Sequence, residues 1–203
     1  MATQSSVHFF LNWAKERIEE MDAILASLES GVAQMAADSR GKADQFIANL
    51  RKTRDEFEST MKKQAEAGEA AWDRTRVKLE GEWKRFEAEV KKYLEIFGKD
   101  IEQQKAVFQG QVAAQMKVWR EAADKIRAAA AEFAAERRKD LDATASRMSA
   151  DAATAEDKLQ KLARAGTESW SALNAALAET RAAFDRANQA AHEALKRANA
   201  QAQ

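Results

Sequence analysis

FIANLRKTRDEFESTMKKQAEAGEAAWDRTRVKLEGEWKRFEAEVKKYLEIF, residues 46–97, is read by counting in elevens. Leu50, Met61, Trp72, Trp83 and Leu94 keep that step, and so do Phe46, Phe57, Gly68, Leu79 and Val90, a row that continues through Ile101 and Val112. Phe86, Phe97, Phe108 and Trp119 obey it too, as do Leu162, Leu173, Phe184 and Leu195 nearer the carboxyl end. Three turns of about 3.67 residues make eleven, so each row runs almost parallel to a helix axis and the segments should be straight or slightly right-handed. Upstream the period is seven: Val7, Ala14, Met21, Leu28 and Met35 form one row, and Leu11, Ile18, Leu25 and Val32 the other. That is a coiled-coil seam. The chain reads as all-α, with heptad and then hendecad periodicity.

Composition agrees with long helices and few turns. The 203 residues include no proline, no cysteine, seven glycines, one tyrosine and two histidines, while alanine fills 46 positions. Sheets and loops draw on proline and glycine for their turns, so their scarcity argues against both. Without cysteine there is no disulfide, iron–sulfur cluster, cysteine-based zinc site or thiol nucleophile. Lys and Arg total 33 and so do Asp and Glu, so no net field draws in nucleic acid. Apolar runs such as Phe9 to Leu11 and Ala128 to Ala131 fall far short of the roughly 20 residues of a spanning helix. No signal-peptide pattern opens the chain, and cytoplasmic residence is the expectation.

Three turns are expected. Asp38-Ser39-Arg40-Gly41 joins two cap formers to a glycine at the point where the period changes. Gly98 can end a helix, with Asp100 and Gln103 as a box-like N-cap, and Gly166-Thr167 repeats a glycine-then-cap order. The rows at Phe86-Phe97-Phe108 and Leu162-Leu173 pass through the later two without a phase slip, so a longer unbroken helix competes with them. With all three turns the helices span about 5–37, 42–97, 100–165 and 168–200. They would form one elongated domain over 1–203, an antiparallel four-helix bundle that tapers to a two-helix arm. In a monomer such an arm would leave Trp72, Trp83, Leu94 and Phe108 with exposed apolar surface, so a homo-oligomer, foremost a dimer, is expected.

Chemistry has little to build on. His8 and His192 lie far apart in sequence, no Ser-His-acid spacing recurs, and the glycines make no phosphate-loop or dinucleotide pattern. Carboxylates such as Asp55, Glu56 and Glu58 sit among Lys and Arg, where helix-face pairing explains them. No catalytic residue, metal site, cofactor or small-molecule substrate is assigned. The basic residues Arg74, Arg76, Lys78, Lys84, Arg85, Lys91 and Lys92 are interleaved with Asp73, Glu80, Glu82, Glu87 and Glu89, as on a solvated face. At the amino end Phe9, Phe10 and Trp13 widen the apolar arc beyond a two-helix contact. With Lys15 and Arg17 nearby they read either as a cap on the bundle core or as an interfacial wedge touching a membrane or partner.

The row Leu50-Met61-Trp72-Trp83-Leu94 resembles the eleven-residue amphipathic repeats of exchangeable apolipoprotein-like lipid-surface proteins, over residues 46–119. The inferred long bent-back helices and the start at Phe9 to Trp13 resemble a BAR-type module. Both resemblances imply peripheral binding to a lipid surface. The residues themselves point first to a non-enzymatic, self-associating helical scaffold that acts through shape and surface contacts. Helix packing and self-association would rest on Leu50, Phe57, Trp72, Leu79, Trp83, Phe86, Leu94, Phe97, Phe108 and Trp119. A lipid-surface protein using Phe9, Phe10, Trp13, Lys15 and Arg17 is the alternative.

Overall fold

The computed structural model describes residues 3–67, 72–98, 101–165 and 170–200. Its elements are α1 (Thr3–Val32), α2 (Ala37–Ala67), α3 (Trp72–Phe97), α4 (Ile101–Ala130), α5 (Ala135–Ala165) and α6 (Trp170–Ala200), with no strand among the described residues. The chain is all-helical, but the described residues form six helices where the spacing predicts four. The predicted helix over 42–97 is two helices, α2 and α3, and the one over 100–165 is α4 and α5. A break near Gly98 is present: Gly98 lies between α3 and α4, its N–H donates to the Leu94 carbonyl at 2.9 Å, and its own carbonyl accepts from Gln104 Nε2 at 2.7 Å. Gly166 lies outside the described residues.

The first turn is displaced. It occupies residues 33–36, so Asp38 falls in the first turn of α2 and Gly41 inside that helix, with open space around its Cα. Two short-range bonds tighten the end of α1, Gln34 N to Gly31 O at 3.1 Å and Met35 N to Val32 O at 3.0 Å. Arg40, one turn into α2, reaches back and donates to the Met35 carbonyl at 3.1 Å. Between α4 and α5 the same device recurs at 131–134. Glu132 N bonds Ala129 O at 3.2 Å and Phe133 N bonds Ala130 O at 3.1 Å, while Arg138 donates to the Ala130 and Ala131 carbonyls at 3.3 and 3.0 Å. Neither turn contains glycine or proline; an arginine from the following helix satisfies the carbonyls that the ending helix leaves open.

This recurrence is general. Helix starts at Thr3, Ala37 and Trp72 are matched at Ile101, Ala135 and Trp170, and the ends at Val32 and Ala67 at Ala130 and Ala165, always 98 residues on. The chain is a tandem repeat, α1–α2–α3 and then α4–α5–α6. Lys63, Ala65, Ala67, Gly68, Trp72, Leu79 and Phe86 recur in register as Lys161, Ala163, Ala165, Gly166, Trp170, Leu177 and Phe184. In both copies the leucine and phenylalanine are buried.

Where one elongated domain is expected, the contacts group the chain into two compact units: a central unit of residues 17–114, and a terminal unit of residues 1–16 with 115–203. Each holds four helical segments, because the central unit includes the start of α4 and the terminal unit the start of α1. In the central unit α2 and α3 run in opposite directions: Gln64 pairs with Thr75, Lys78 donates to Thr60 at 3.2 Å, and Phe46 meets Tyr93 and Phe97 edge-on at 6.3 and 5.9 Å. Arg54 of α2 grips Asp22 of α1 through two bonds of 2.7 and 3.0 Å and also pairs with Glu58. In the terminal unit Arg120 of α4 pairs with Glu156 of α5, Lys158 of α5 meets Glu179 of α6 at 2.6 Å, and Trp119 packs edge-on against Phe184 at 5.5 Å.

Candidate functional site

The ten residues expected to hold helices together are interior. Leu50, Phe57, Leu79, Phe86, Phe108 and Trp119 are fully buried, Trp72, Trp83 and Leu94 nearly so, and Phe97 is half-buried. They close cores inside a single chain, which corrects the expectation that Trp72, Trp83, Leu94 and Phe108 are exposed in a monomer. The physical reason is the pair of unforeseen breaks: folding back after Ala67 and Ala130 gives each unit four helical segments, enough to cover the rows on all sides.

At the amino end the side chains of Phe9 and Phe10 lie outside the described part. Trp13 and Arg17 are buried at 6% exposure each, and Lys15 forms an ion pair with Glu121 of α4, which holds the Glu121 carboxyl below its ordinary value. Described members of the proposed wedge therefore face protein, and a membrane contact by Trp13 would require it to leave a core.

Two features escaped the sequence reading. The first is a set of buried polar residues in the terminal unit: Asn12, Glu16, Gln115, Thr180, Arg181, Asn188 and His192, all under 9% exposed. Gln115 Nε2 donates to the Leu177 carbonyl at 3.3 Å and Lys125 to Asn12 Oδ1 at 3.2 Å. At the register positions of Asn12, Glu16, Arg181, Asn188 and His192 the central unit has Gly110, Ala114, Trp83, Val90 and Leu94, while those of Gln115 and Thr180 are taken by the buried Arg17 and by Glu82. Only the 98-residue register makes this contrast visible. The second is a cleft of about 510 Å³ between α5 and α6, with Trp119 in its wall and Asp151, Lys158, Glu179 and Arg186 among its polar residues. A groove over α2 and α3 in the central unit, by contrast, is lined almost entirely by charged and hydroxyl side chains, including Lys63, Lys78 and Glu82.

Glu82 is the perturbed acid of that groove. Burial pushes its carboxyl up, Lys78 at 3.6 Å opposes the shift, and one carboxyl oxygen is buried without a hydrogen-bond partner. A carboxyl raised on folding favours the native state below its unfolded pKa, and that contribution is lost as pH rises through the folded pKa. Glu82→Gln is therefore expected to raise the thermal midpoint at pH 7. Thermal melts at several pH values should show the gain shrinking to nothing below about pH 4, where both states carry a neutral carboxyl.

Among the described residues no group of three or more His, Asp or Glu side chains could hold a metal ion, and no helix is long and apolar enough to cross a membrane. Comparison with protein families, with curated proteins and with solved structures gives no match.

Proposed function

We propose that this protein is a non-enzymatic helical scaffold that works through the shape and surface of two similar helical units. The observation that carries this reading is the division of labour between faces. The aromatic rows are spent on closing the units, and the exteriors carry interhelical charge pairs such as Arg54–Asp22, Arg51–Glu29, Arg120–Glu156 and Lys158–Glu179. Such pairs contribute little stability individually, but they fix which helix faces meet and keep a long surface soluble. Self-association then belongs to the exterior, where Val77 and Ile96 of α3 are the large apolar side chains left exposed among the described residues, at 71% and 52%.

Sedimentation equilibrium from about 1 to 100 μM tests this. A mass above the 22.6 kDa of one chain is expected, with Val77→Glu and Ile96→Glu together returning it to one chain at unchanged helicity. A single-chain mass at every concentration removes self-association from the reading. Co-pelleting with vesicles of neutral and anionic phospholipid would move the protein to the lipid-surface class.

A further inference from the structure

Each compact unit is built from both repeats. The central unit includes residues 101–114 of α4, which opens the second repeat, and the terminal unit includes residues 3–16 of α1, which opens the first. Within each unit these two helices run antiparallel. In the central unit Gln111 donates to Glu20 at 3.2 Å and Ser27 meets the Ala106 carbonyl, while in the terminal unit Lys15 pairs with Glu121 and Lys125 donates to Asn12 Oδ1 at 3.2 Å. The register mates of Asn12 and Lys125 are Gly110 and Ser27, and these two also meet: a Cβ at Gly110 would stand 3.3 Å from Ser27 Oγ. The contact is thus the same whichever repeat supplies which side, as in a symmetric dimer, where one surface meets its own copy. Such a surface does not require both repeats to come from one chain.

The link between the repeats decides where the partner repeat comes from. α3 ends at Phe97, α4 begins at Ile101, and no proline lies between them. The Gly98 N–H still makes a helical bond to the Leu94 carbonyl at 2.9 Å, and the row Phe86-Phe97-Phe108 passes the link without a phase slip, so the sequence also suits one straight helix. The reversal depends on Gly98. A Cβ there would stand 2.8 Å from the Leu94 carbonyl oxygen and 2.9 Å from the Leu94 Cα, backbone atoms that cannot swing aside as a side chain can. In a straight helix any residue carries its Cβ without this overlap, and alanine is favoured over glycine.

We propose that this chain takes a second copy of itself as partner by exchanging repeats: α3 and α4 become one helix, and the first repeat of each chain packs on the second repeat of the other. Closure within one chain is favoured by an effective concentration of about a millimolar, so exchange forms when chains fold together at high concentration and persists on dilution. The inference goes beyond the scaffold reading and uses neither Val77 nor Ile96.

The test refolds the full chain from denaturant at about 1 μM and about 200 μM, with Val77→Glu and Ile96→Glu in place so that exterior association does not contribute. Ala23→Cys with Gly110→Cys reports the exchange, because a Cβ at Gly110 stands 3.5 Å from the Ala23 Cβ, within disulfide reach, and the chain has no other cysteine. After dilution and oxidation, protein refolded at the lower concentration is expected to link within single chains on a non-reducing gel. Protein refolded at the higher one should add a band of twice 22.6 kDa. Gly98→Ala should raise the share of that band at least about fivefold. A run of glycines inserted after Gly98 should lower it, since a longer link closes easily and interrupts a straight helix. Should Gly98→Ala lack wild-type helicity, the unaltered link decides at the higher concentration. Absence of the two-chain band there, its indifference to a folded Gly98→Ala, or a dimer on size exclusion whose cysteines link only within single chains overturns the proposal. The sedimentation result for Val77 and Ile96 stands in either case.

Discussion

Trp83→Asp is expected to unfold the central unit, with a cost of about 4 kcal/mol or more. Trp83 is 6% exposed and lies nearly parallel to Phe86, with ring centroids 6.1 Å apart, so truncation forfeits a large buried surface and an aromatic contact together. The carboxylate then replaces a buried indole and loses its water. Its register mate in the terminal unit is itself charged, Arg181 at 5% exposure, but that position comes with buried Asn12, Glu16, Asn188 and His192. The central unit offers Gly110, Ala114, Val90 and Leu94 at the corresponding places, none of which has a side chain able to solvate a charge. Against a typical total stability of 5–15 kcal/mol, a loss of this size removes much of the native population. Far-UV circular dichroism through a thermal melt should show a large fall in helicity or a midpoint lowered by more than about 8 °C. A shift under about 3 °C would mean that Trp83 is not part of a packed core.

The helical class of the chain, and the residues of its interior, were legible because they depend on periodicity alone. Leu50, Leu79, Phe86 and Trp119 stand on eleven-residue rows and are fully buried. The number of helices was not legible, for a reason in the same rows. Phe46, Phe57, Leu79 and Val90 keep one spacing although α2 ends at Ala67 and α3 begins at Trp72, because both helices turn the same kind of face to one core. A row therefore shows which residues point inward and says nothing about whether the chain reverses between them. The turns at 33–36 and 131–134 lie in Ala-Gln-Met-Ala and Ala-Glu-Phe-Ala, without turn-forming residues, and their open carbonyls are met by Arg40 and Arg138 of the helices that follow. A usable signal did exist. The spacing of Lys63, Gly68, Trp72, Leu79 and Phe86 returns 98 residues later, and aligning the chain with itself would have carried the turn expected at 38–41 onto 136–139 and the one expected at Gly166 onto Gly68, supplying the two missing breaks. The cleft between α5 and α6 was invisible because Ala155, Ala183 and Ala187 in its wall look like any other helix-forming alanines.

Phe57→Ala is expected to cost about 3–5 kcal/mol, and Met21→Trp added to it should return at least about 1 kcal/mol. Phe57 and Met21 are both fully buried in the central unit, on α2 and α1. They sit beside residues that pin those helices together, since Arg54 bonds Asp22 and pairs with Glu58. In the terminal unit the positions of Asp22 and Glu58 are taken by Arg120 and Glu156, which pair directly, and the adjoining positions of Met21 and Phe57 by Trp119 and Ala155. One unit thus fills this part of its core with a medium and a large side chain, the other with a very large and a minimal one. Two solutions of similar volume are expected where packing density must be kept, and either half of an exchange alone leaves a cavity or an overlap. Met21→Trp by itself should therefore destabilise through crowding, by about 1–3 kcal/mol, although it helps in the Phe57→Ala background. The sign change is the diagnostic quantity. Denaturant unfolding of the two single variants and the double gives the coupling directly, and a double variant no more stable than the sum of the singles would show that the shared register does not extend to the packing of these four residues. A coupling of about 2 kcal/mol or more would show that the repeats keep one backbone arrangement while exchanging the side chains that fill it.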